Sequence, residues 1–226
     1  MEENRRDELP SRLGRKVTFM AERGKFIVFE GIDGSGKTTQ ARILKERLEK
    51  AGKKVFLTVE PTGGEAGTLL RRCLRGEADL PEEAISGLFM TDRIDHIKDP
   101  KDGILVHLAK GEWVISDRYY FSSYAYNSMY SPMDWVISIN SLARDLLKPD
   151  LTFFLDISPE LFNERTRSRG TTERYEDTEV LRTVRENYFR SFALFPDEKV
   201  EVVDNCAGIE ETADKVYASL SEHFGL

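Results

Sequence analysis

The sequence predicts an α/β fold, a five-stranded parallel sheet with helices on both faces. Two observations lead to this prediction. Short apolar runs alternate with longer stretches of helical periodicity along the chain, and a glycine-rich loop directly follows the first of these runs. Strands that alternate with helices imply parallel pairing and a sheet covered on both sides. At 226 residues the chain is long enough for one domain of this kind.

The predicted elements follow from the two periodicities in chain order. Strands are short apolar runs, and helices carry apolar residues at helical spacing. The predicted strands are Phe26–Glu30, Lys54–Glu60, Trp113–Asp117, Leu151–Asp156 and Val200–Val203. The predicted helices span residues 38–50, 67–75, 81–98, 100–110, 132–147, 158–168, 176–194 and 208–222.

The composition indicates a soluble globular protein. Hydrophobic residues make up 40% of the chain and charged residues 32%, and no apolar run approaches the roughly 18 residues of a membrane span. A formal net charge of −7 argues against a general nucleic-acid-binding surface, which is normally basic. Cys73 and Cys206 form no metal-binding pattern, and we interpret both as structural thiols in a reducing, cytoplasmic compartment.

Residues 1–24 differ from the rest of the chain. They are polar and mixed in charge, and they lack the apolar segment of a secretory signal. We expect a flexible N-terminal extension without an assigned function, followed by a single domain over residues 25–226.

The segment from Gly31 to Thr38 carries the most specific functional signal. It reads GIDGSGKT and fits the pattern G-x-x-x-x-G-K-[ST] between a strand and a helix, as a phosphate-binding loop requires. Its glycines allow successive backbone N–H groups to face an anion at the helix N-terminus. In such a loop Lys37 reaches the β- and γ-phosphates, and the Thr38 hydroxyl is a ligand of Mg²⁺.

Polar residues also follow the other predicted strands. Open α/β sheets bind ligands outside the carboxyl ends of their strands, so residues 60–64 and 117–119 should converge with the loop on one cleft. Asp117 is placed to hold the Mg²⁺ shell, and the planar Arg118 guanidinium suits a phosphate. An ordinary ion pair is the alternative for these two residues. Asp156 is equally compatible with a structural cap and with an active-site role.

Residues 163–175, NERTRSRGTTERY, contain a cluster of arginines that gives way to glycine and threonine. This pattern predicts a loop that can close over a site, where an arginine offsets the charge of a migrating phosphoryl group and water is excluded. The alternative is a solvated basic helix end. The sequence contains no N-K-x-D motif, which argues against a GTPase.

Together these motifs resemble those of the thymidylate kinases, a family of P-loop nucleoside monophosphate kinases. The likeness runs from about Phe26 to the C-terminus. Its markers are EGIDGSGKTTQ, EP at 60–61, FMTDR at 89–93, DRY at 117–119 with the following SS and AY, PDL at 149–151, and residues 165–176. The resemblance implies a three-layer P-loop NTPase fold with a short arginine-rich lid, ATP as phosphate donor, Mg²⁺, the acceptor dTMP, and a homodimer.

The resemblance also implies roles for individual residues. Asp33 holds the sugar 3′-hydroxyl of the acceptor, Phe89 stacks on thymine, and Arg93 shares its helix face and contacts the base. Arg118 binds the acceptor phosphate, and Tyr126 packs beside the sugar. We expect the donor at Gly31, Asp33, Gly34, Ser35, Gly36, Lys37, Thr38 and Thr39, and the metal at Thr38 and Asp117. We expect the acceptor at Asp33, Glu60, Pro61, Arg71, Phe89, Arg93, Arg118, Ser122, Ser123, Tyr126 and Asn127.

Gly34 stands where some members of the family carry an arginine, and the others take their catalytic arginine from the lid. The resemblance therefore adds lid arginines to Lys37 and Arg118 as catalytic residues. Arg169 and Arg174 are the first choices. The lid also contains Arg165 and Arg167.

Two departures from the family pattern concern the acceptor. Val59 stands where the family often has arginine, which removes a phosphate contact that Arg71 or Arg72 can replace, and Asn127 stands where glutamine or threonine is common. Two other functions stay open: a kinase of the same fold acting on dUMP or a nucleoside, and a slowly hydrolysing regulatory protein. The apolar run Trp135–Ile139 is either a dimer contact or core, and we interpret it as core.

Overall fold

The computed structural model describes residues 23–158, 160–161, 178–206 and 208–226. The predicted extension up to residue 22 and the whole predicted lid, residues 165–176, lie outside these ranges. The same holds for the lid arginines Arg165, Arg167, Arg169 and Arg174. Their roles, and the division into an extension and one domain, stay predictions.

A parallel sheet of five strands forms the centre of the described part of the chain. The strands are β1 Phe26–Glu30, β2 Val55–Val59, β3 Trp113–Asp117, β4 Leu151–Asp156 and β5 Val200–Asp204, in the order β2-β3-β1-β4-β5. Phe29 of β1 pairs with Asp117 of β3, and Asp117 pairs with Val59 of β2. The carboxyl ends of these three strands therefore lie side by side. The predicted sheet is confirmed, with each strand end within one residue of its prediction.

Eight α-helices lie entirely within the described residues, between the strands and after the last of them. They are α1 Lys37–Lys50, α2 Glu65–Leu74, α3 Glu82–Lys98, α4 Ile104–Ala109, α5 Tyr120–Tyr126, α6 Met133–Leu146, α7 Thr178–Leu194 and α8 Ile209–Phe224. The predicted start of α4 at residue 100 is wrong, because the Asp99 carboxylate accepts the N–H groups of Lys101 and Asp102 in a turn. Most of the predicted helix 158–168 lies outside the described ranges.

The sheet is buried on both faces, which confirms the three-layer architecture. Ile27 and Phe29 of β1 pack on one side with residues of α1 and α8. Phe26 and Val28 pack on the other side with α4, α5, α6 and α7. This alternation follows from the two-residue period of a strand.

Two predictions about buried residues are only partly right. In the run Trp135–Ile139 of α6, Val136 is fully buried, whereas Trp135 is 36% exposed. Cys73 is buried between α2 and α3, but Cys206, in the loop after β5, is exposed. No helix in the part of the chain that the structure describes is long and apolar enough to cross a membrane.

Candidate active site

A cavity of about 490 Å³ lies at the carboxyl ends of β1, β2 and β3. It is lined by Asp33, Gly34, Gly36, Lys37, Thr38, Thr39, Val59, Pro61, Leu74, Phe89, Asp117, Arg118, Ser122, Tyr126 and Asn127. Sequence reasoning did not assign Val59 or Leu74 to the site. Among the described residues, the predicted site residues that do not line the cavity are Gly31, Ser35, Glu60, Arg71, Arg93 and Ser123.

The phosphate loop has the backbone geometry that its glycines predict. Gly31, Gly34 and Gly36 have φ values of 148°, 71° and 85°. A Cβ on Gly31 would lie 2.6 Å from Ser35 Oγ and 2.8 Å from the Leu155 carbonyl oxygen. Gly36 caps α1, so the loop leads into a helix N-terminus, where backbone N–H groups attract anions.

The Lys37 ammonium is held by its own loop. Its Nζ donates hydrogen bonds to the carbonyl oxygens of Gly31, at 3.0 Å, and Ile32, at 2.9 Å. Burial, followed by the charge of Arg118, lowers the pKa of Lys37 to about 8, although Asp117 and Asp33 act in the opposite direction. The lysine is therefore a cation whose charge depends on the groups around the cavity.

Thr38 and Asp117 meet where the sequence predicts the metal. Thr38 Oγ1 donates to Asp117 Oδ2 at 2.5 Å. The other carboxylate oxygen, Oδ1, is buried and has no hydrogen-bond partner among the described residues. Mg²⁺ prefers oxygen ligands and is usually held by one or two carboxylates together with substrate phosphates. This hydroxyl and carboxylate fit such an ion, because Mg²⁺ held partly by substrate phosphates does not need a larger cluster of protein ligands.

Arg118, Asp33 and Tyr126 form one hydrogen-bonded group on the cavity wall. Arg118 Nη2 donates to Asp33 Oδ1, and the guanidinium lies 5.1 Å from the centre of the Tyr126 ring. The Tyr126 hydroxyl donates to Asp33 Oδ2 at 3.0 Å. Burial acts to raise the pKa of Asp33, but Arg118 and Lys37 outweigh it and hold that pKa below its usual range. The carboxylate is thus kept charged beside the arginine.

Arg93 and Phe89 point to different surroundings although they share a helix. Phe89 lines the cavity, whereas Arg93 is 1% exposed and does not. Arg93 Nε donates to Glu60 Oε2 at 2.8 Å, and Nη1 donates to Ser123 Oγ at 3.0 Å and to Asn140 Oδ1. The guanidinium therefore joins α3 to the end of β2, and a contact with an acceptor base stays a prediction.

The segment after β2 is fixed by further bonds to α3. Asp92 accepts the backbone N–H of Thr62 at 2.7 Å and its hydroxyl at 2.5 Å. His96 Nδ1 lies 3.1 Å from Glu60 Oε1. Arg71 of α2 donates to the carbonyl oxygen of Pro61. These contacts hold Pro61 against the cavity, while Arg71 bonds to backbone rather than facing the cavity.

A family model described as thymidylate kinase matches residues 29–216, which contain the phosphate loop and every residue that lines the cavity. The chain belongs to the thymidylate kinase family. The resemblance predicted from the motifs is therefore confirmed.

Curated relatives in the thymidylate kinase family align over most of the chain. The probable thymidylate kinase of Pyrococcus horikoshii is 39% identical over 203 residues, covering 87% of this chain and 95% of that protein. The putative thymidylate kinase of Treponema pallidum is 37% identical over 203 residues, with 88% and 95% covered. The thymidylate kinase of Leptospira borgpetersenii is 36% identical over 191 residues, with 84% and 90% covered.

Sequence reasoning did not find Asn205, whose side chain holds the phosphate loop of this thymidylate kinase family member by a hydrogen bond. Asn205, just after β5, donates from Nδ2 to the Ser35 carbonyl oxygen and accepts from Thr212 Oγ1 at 2.7 Å. Its position at a strand's carboxyl end was the available signal. Asp156 is the last residue of β4, but it accepts Nε and Nη2 of Arg185 at 2.6 and 2.7 Å and does not line the cavity.

Proposed function

We propose that this protein transfers the γ-phosphoryl group of ATP to dTMP, giving ADP and dTDP for cytoplasmic dTTP synthesis. One observation carries the proposal: the phosphate loop and the side chains of Phe89, Tyr126 and Asn127 line the same cavity. A phosphate-binding loop alone fits many nucleotide-binding proteins. The loop together with an aromatic and polar pocket fits two nucleotides in one site.

The donor half of the site consists of the loop, Lys37, Thr38 and Asp117. The loop backbone receives the donor phosphates, and Lys37 reaches toward the β- and γ-phosphates. Thr38 and Asp117 would hold Mg²⁺, which offsets negative charge on the phosphate oxygens when it is bound. Lys37 must leave the loop carbonyls that it contacts here in order to bond to phosphate.

The acceptor half is built from α3 and α5. Phe89 offers an aromatic face to a base, and Tyr126 and Asp33 lie together where the sugar is expected. Asn127 Oδ1 is buried and has no hydrogen-bond partner in the described part of the chain. An acceptor atom of this kind suits the N3–H of thymine or uracil, which cytosine lacks.

Transfer follows from positioning and charge rather than from a general base. The acceptor phosphate is largely ionised near neutral pH, so it can attack the γ-phosphorus in line without losing a proton to the protein. Arg118 would hold that phosphate, and for this it must exchange its bond to Asp33. Lys37 and the predicted lid arginines, Arg169 and Arg174, would offset charge in the transition state.

We also propose that the protein is a homodimer. Helix α6 presents Trp135, 36% exposed, and Leu142, 54% exposed, on its outer side. Apolar side chains grouped in this way fit burial against a second copy of the chain.

A coupled assay of ADP release tests the proposed activity. ATP and Mg²⁺ are supplied with dTMP, dUMP, dCMP, dGMP or thymidine, each compared with a control without acceptor. We expect dTMP to give the fastest release. Release that is no faster with dTMP than without acceptor would refute the kinase proposal, and a preference for dUMP or thymidine would refute the proposed acceptor.

Two substitutions separate the halves of the site. Phe89→Ala should weaken dTMP binding more than ATP binding, because the proposal places this cavity-lining ring against the acceptor base and away from the donor. Lys37→Ala should abolish transfer, because a charge needed in the transition state is removed. Equal losses of affinity for both nucleotides in Phe89→Ala would argue against stacking on the acceptor base.

A further inference from the structure

Glu30 is a fully buried carboxylate at the end of β1, directly before the phosphate loop. Its Oε1 accepts the backbone N–H groups of Tyr119, at 2.9 Å, and Ser122, at 3.1 Å. Its Oε2 accepts the Ser122 hydroxyl at 2.5 Å and the Tyr188 hydroxyl at 2.9 Å. Three of these bonds join β1 to residues 119–122, of which Ser122 lines the cavity, and the fourth joins it to α7.

The residue next to these contacts, Arg118, has an unusual backbone. Its φ of 76° is positive, and it is alone in this among the non-glycine residues that the structure describes. Such a conformation persists only where the surroundings fix it. The Arg118 N–H bonds to the Phe29 carbonyl at 2.9 Å and its carbonyl accepts Ser116 Oγ at 2.8 Å, while Glu30 binds the very next N–H, that of Tyr119.

Glu30 also reaches the Arg118 side chain through one intermediate. Ser122 Oγ donates to Glu30 and accepts Arg118 Nη1 at 3.2 Å. Backbone and guanidinium of the same arginine are therefore both linked to this carboxylate. The Tyr188 hydroxyl adds a link to α7, and its ring packs edge-on against Tyr126.

A carboxylate is a costly residue at this place in the fold. Burial raises the pKa of Glu30, even though Ser122, Arg118 and Tyr188 act to lower it. The charged carboxylate is thus less favourable at this site than it would be in water, and an apolar side chain would pack better in the core. Core packing therefore does not explain a carboxylate at this position, whereas its hydrogen bonds toward the acceptor side do.

We propose that Glu30 is a positioning residue for the acceptor: it fixes the turn at Arg118 and the start of α5, so that the guanidinium faces the acceptor phosphate. This inference rests on the proposed function, because it takes the acceptor to be dTMP. Glu30 itself does not line the cavity. Its effect should appear in the KM for dTMP and not in the KM for ATP.

Steady-state kinetics of Glu30→Ala, Glu30→Asp and Glu30→Gln test this role. Glu30→Ala should raise the KM for dTMP about tenfold or more while the KM for ATP changes less than about twofold, because misplacement of a binding group is costly. Glu30→Asp keeps the charge but retracts it by one methylene and should shift the same KM. Glu30→Gln keeps an oxygen for both N–H groups and should restore most of the affinity.

Glu198→Ala is the matched control. Glu198 is also a buried carboxylate bonded to α5, through the Tyr120 hydroxyl, but its other partner is Arg144, and none of the three lines the cavity. Loss of this carboxylate should lower stability and leave both KM values unchanged.

Three results would overturn the inference: an unchanged KM for dTMP in folded Glu30→Ala, an equal rise of both KM values, or the same rise in the Glu198 control. If Glu30→Ala does not fold, the contrast between Glu30→Asp and Glu30→Gln decides, and equal KM values for dTMP would refute the role. A wild-type protein without dTMP-dependent turnover would instead refute the proposed function.

Discussion

At the scale of single residues, the charge of Lys37 is the property most open to measurement. Its pKa of about 8 makes it mainly protonated below that pH and mainly neutral above it, because burial disfavours the cation. ATP needs the protonated form. We therefore expect the Kd of ATP to rise about tenfold between about pH 7 and about pH 9. Calorimetry in buffers of different ionisation enthalpy should also show that the protein takes up a proton when it binds ATP at the upper end of this pH range.

Lys37→Arg is the control for this pH dependence. A guanidinium stays charged over the whole range, so the variant should bind ATP with an affinity that does not vary with pH. If the Kd of ATP for Lys37→Arg instead rose with pH as it does for the wild type, the titrating group would not be Lys37.

The close approach at Gly31 gives a prediction of stability. Alanine there combines a positive φ with contacts below 3 Å to Ser35 and Leu155. Gly52 also has a positive φ, 79°, but nothing lies within 4 Å of an added Cβ. We expect Gly31→Ala to lower the free energy of unfolding by at least about 2 kcal/mol, and Gly52→Ala by about 1 kcal/mol. Urea denaturation measures both, and equal costs would contradict the steric argument.

At the scale of elements, the ion pair between Arg93 and Glu60 joins α3 to the end of β2. Both side chains are almost completely buried, at 1% and 2% exposure. Arg93→Leu leaves the Glu60 charge without its partner, which should lower the free energy of unfolding by about 3–5 kcal/mol. Adding Glu60→Gln should recover part of this loss, since the unpaired charge is then gone.

Arg75→Leu provides the comparison, because the Arg75–Glu77 pair is exposed to solvent. Its loss should leave the urea midpoint unchanged within error. A similar loss of stability in Arg75→Leu and Arg93→Leu would show that burial does not decide the strength of these pairs.

The elements also show how far the sequence predicts this fold. The strands were predictable because buried parallel strands read as continuous apolar runs, as in Phe26–Glu30. Helix α5 was not, because all seven of its residues are buried and none of the usual polar face marks the helical period. Helix α5 follows β3 and contributes residues to the cavity, so it is the most consequential element that the sequence did not predict.

The site divides in a similar way. The phosphate loop was predictable because its residues are contiguous and its glycines are demanded by local backbone geometry. The bond from Asn205 to Ser35 joins residues that are 170 positions apart, and no local pattern encodes it. Arg93 shows the same limit: helical spacing placed it on the face of Phe89, but the buried Glu60 carboxylate determines where its guanidinium lies.

At the scale of the whole molecule, the proposed homodimer predicts a change of mass in solution. Leu142→Glu places a charge on the exposed side of α6, where burial against a second copy would make it costly. Sedimentation velocity should show a dimer for the wild-type protein and a monomer for this variant.

Leu194→Glu, at the end of α7, serves as the control, because Leu194 is similarly exposed, at 56%, but lies on another helix. This variant should sediment as the wild type does. Identical sedimentation of Leu142→Glu and the wild-type protein would argue against an interface on α6.

The two cysteines differ in a way that makes the molecule easy to label. Cys73 is buried and Cys206 is exposed, so a thiol-reactive fluorophore should attach at one position without any engineered cysteine. Cys206 directly follows Asn205, whose amide bonds to the carbonyl of Ser35 in the phosphate loop. A dye on Cys206 would lie one residue from Asn205 and so close to the phosphate loop. Its emission would report donor binding in real time, without any substitution in the protein.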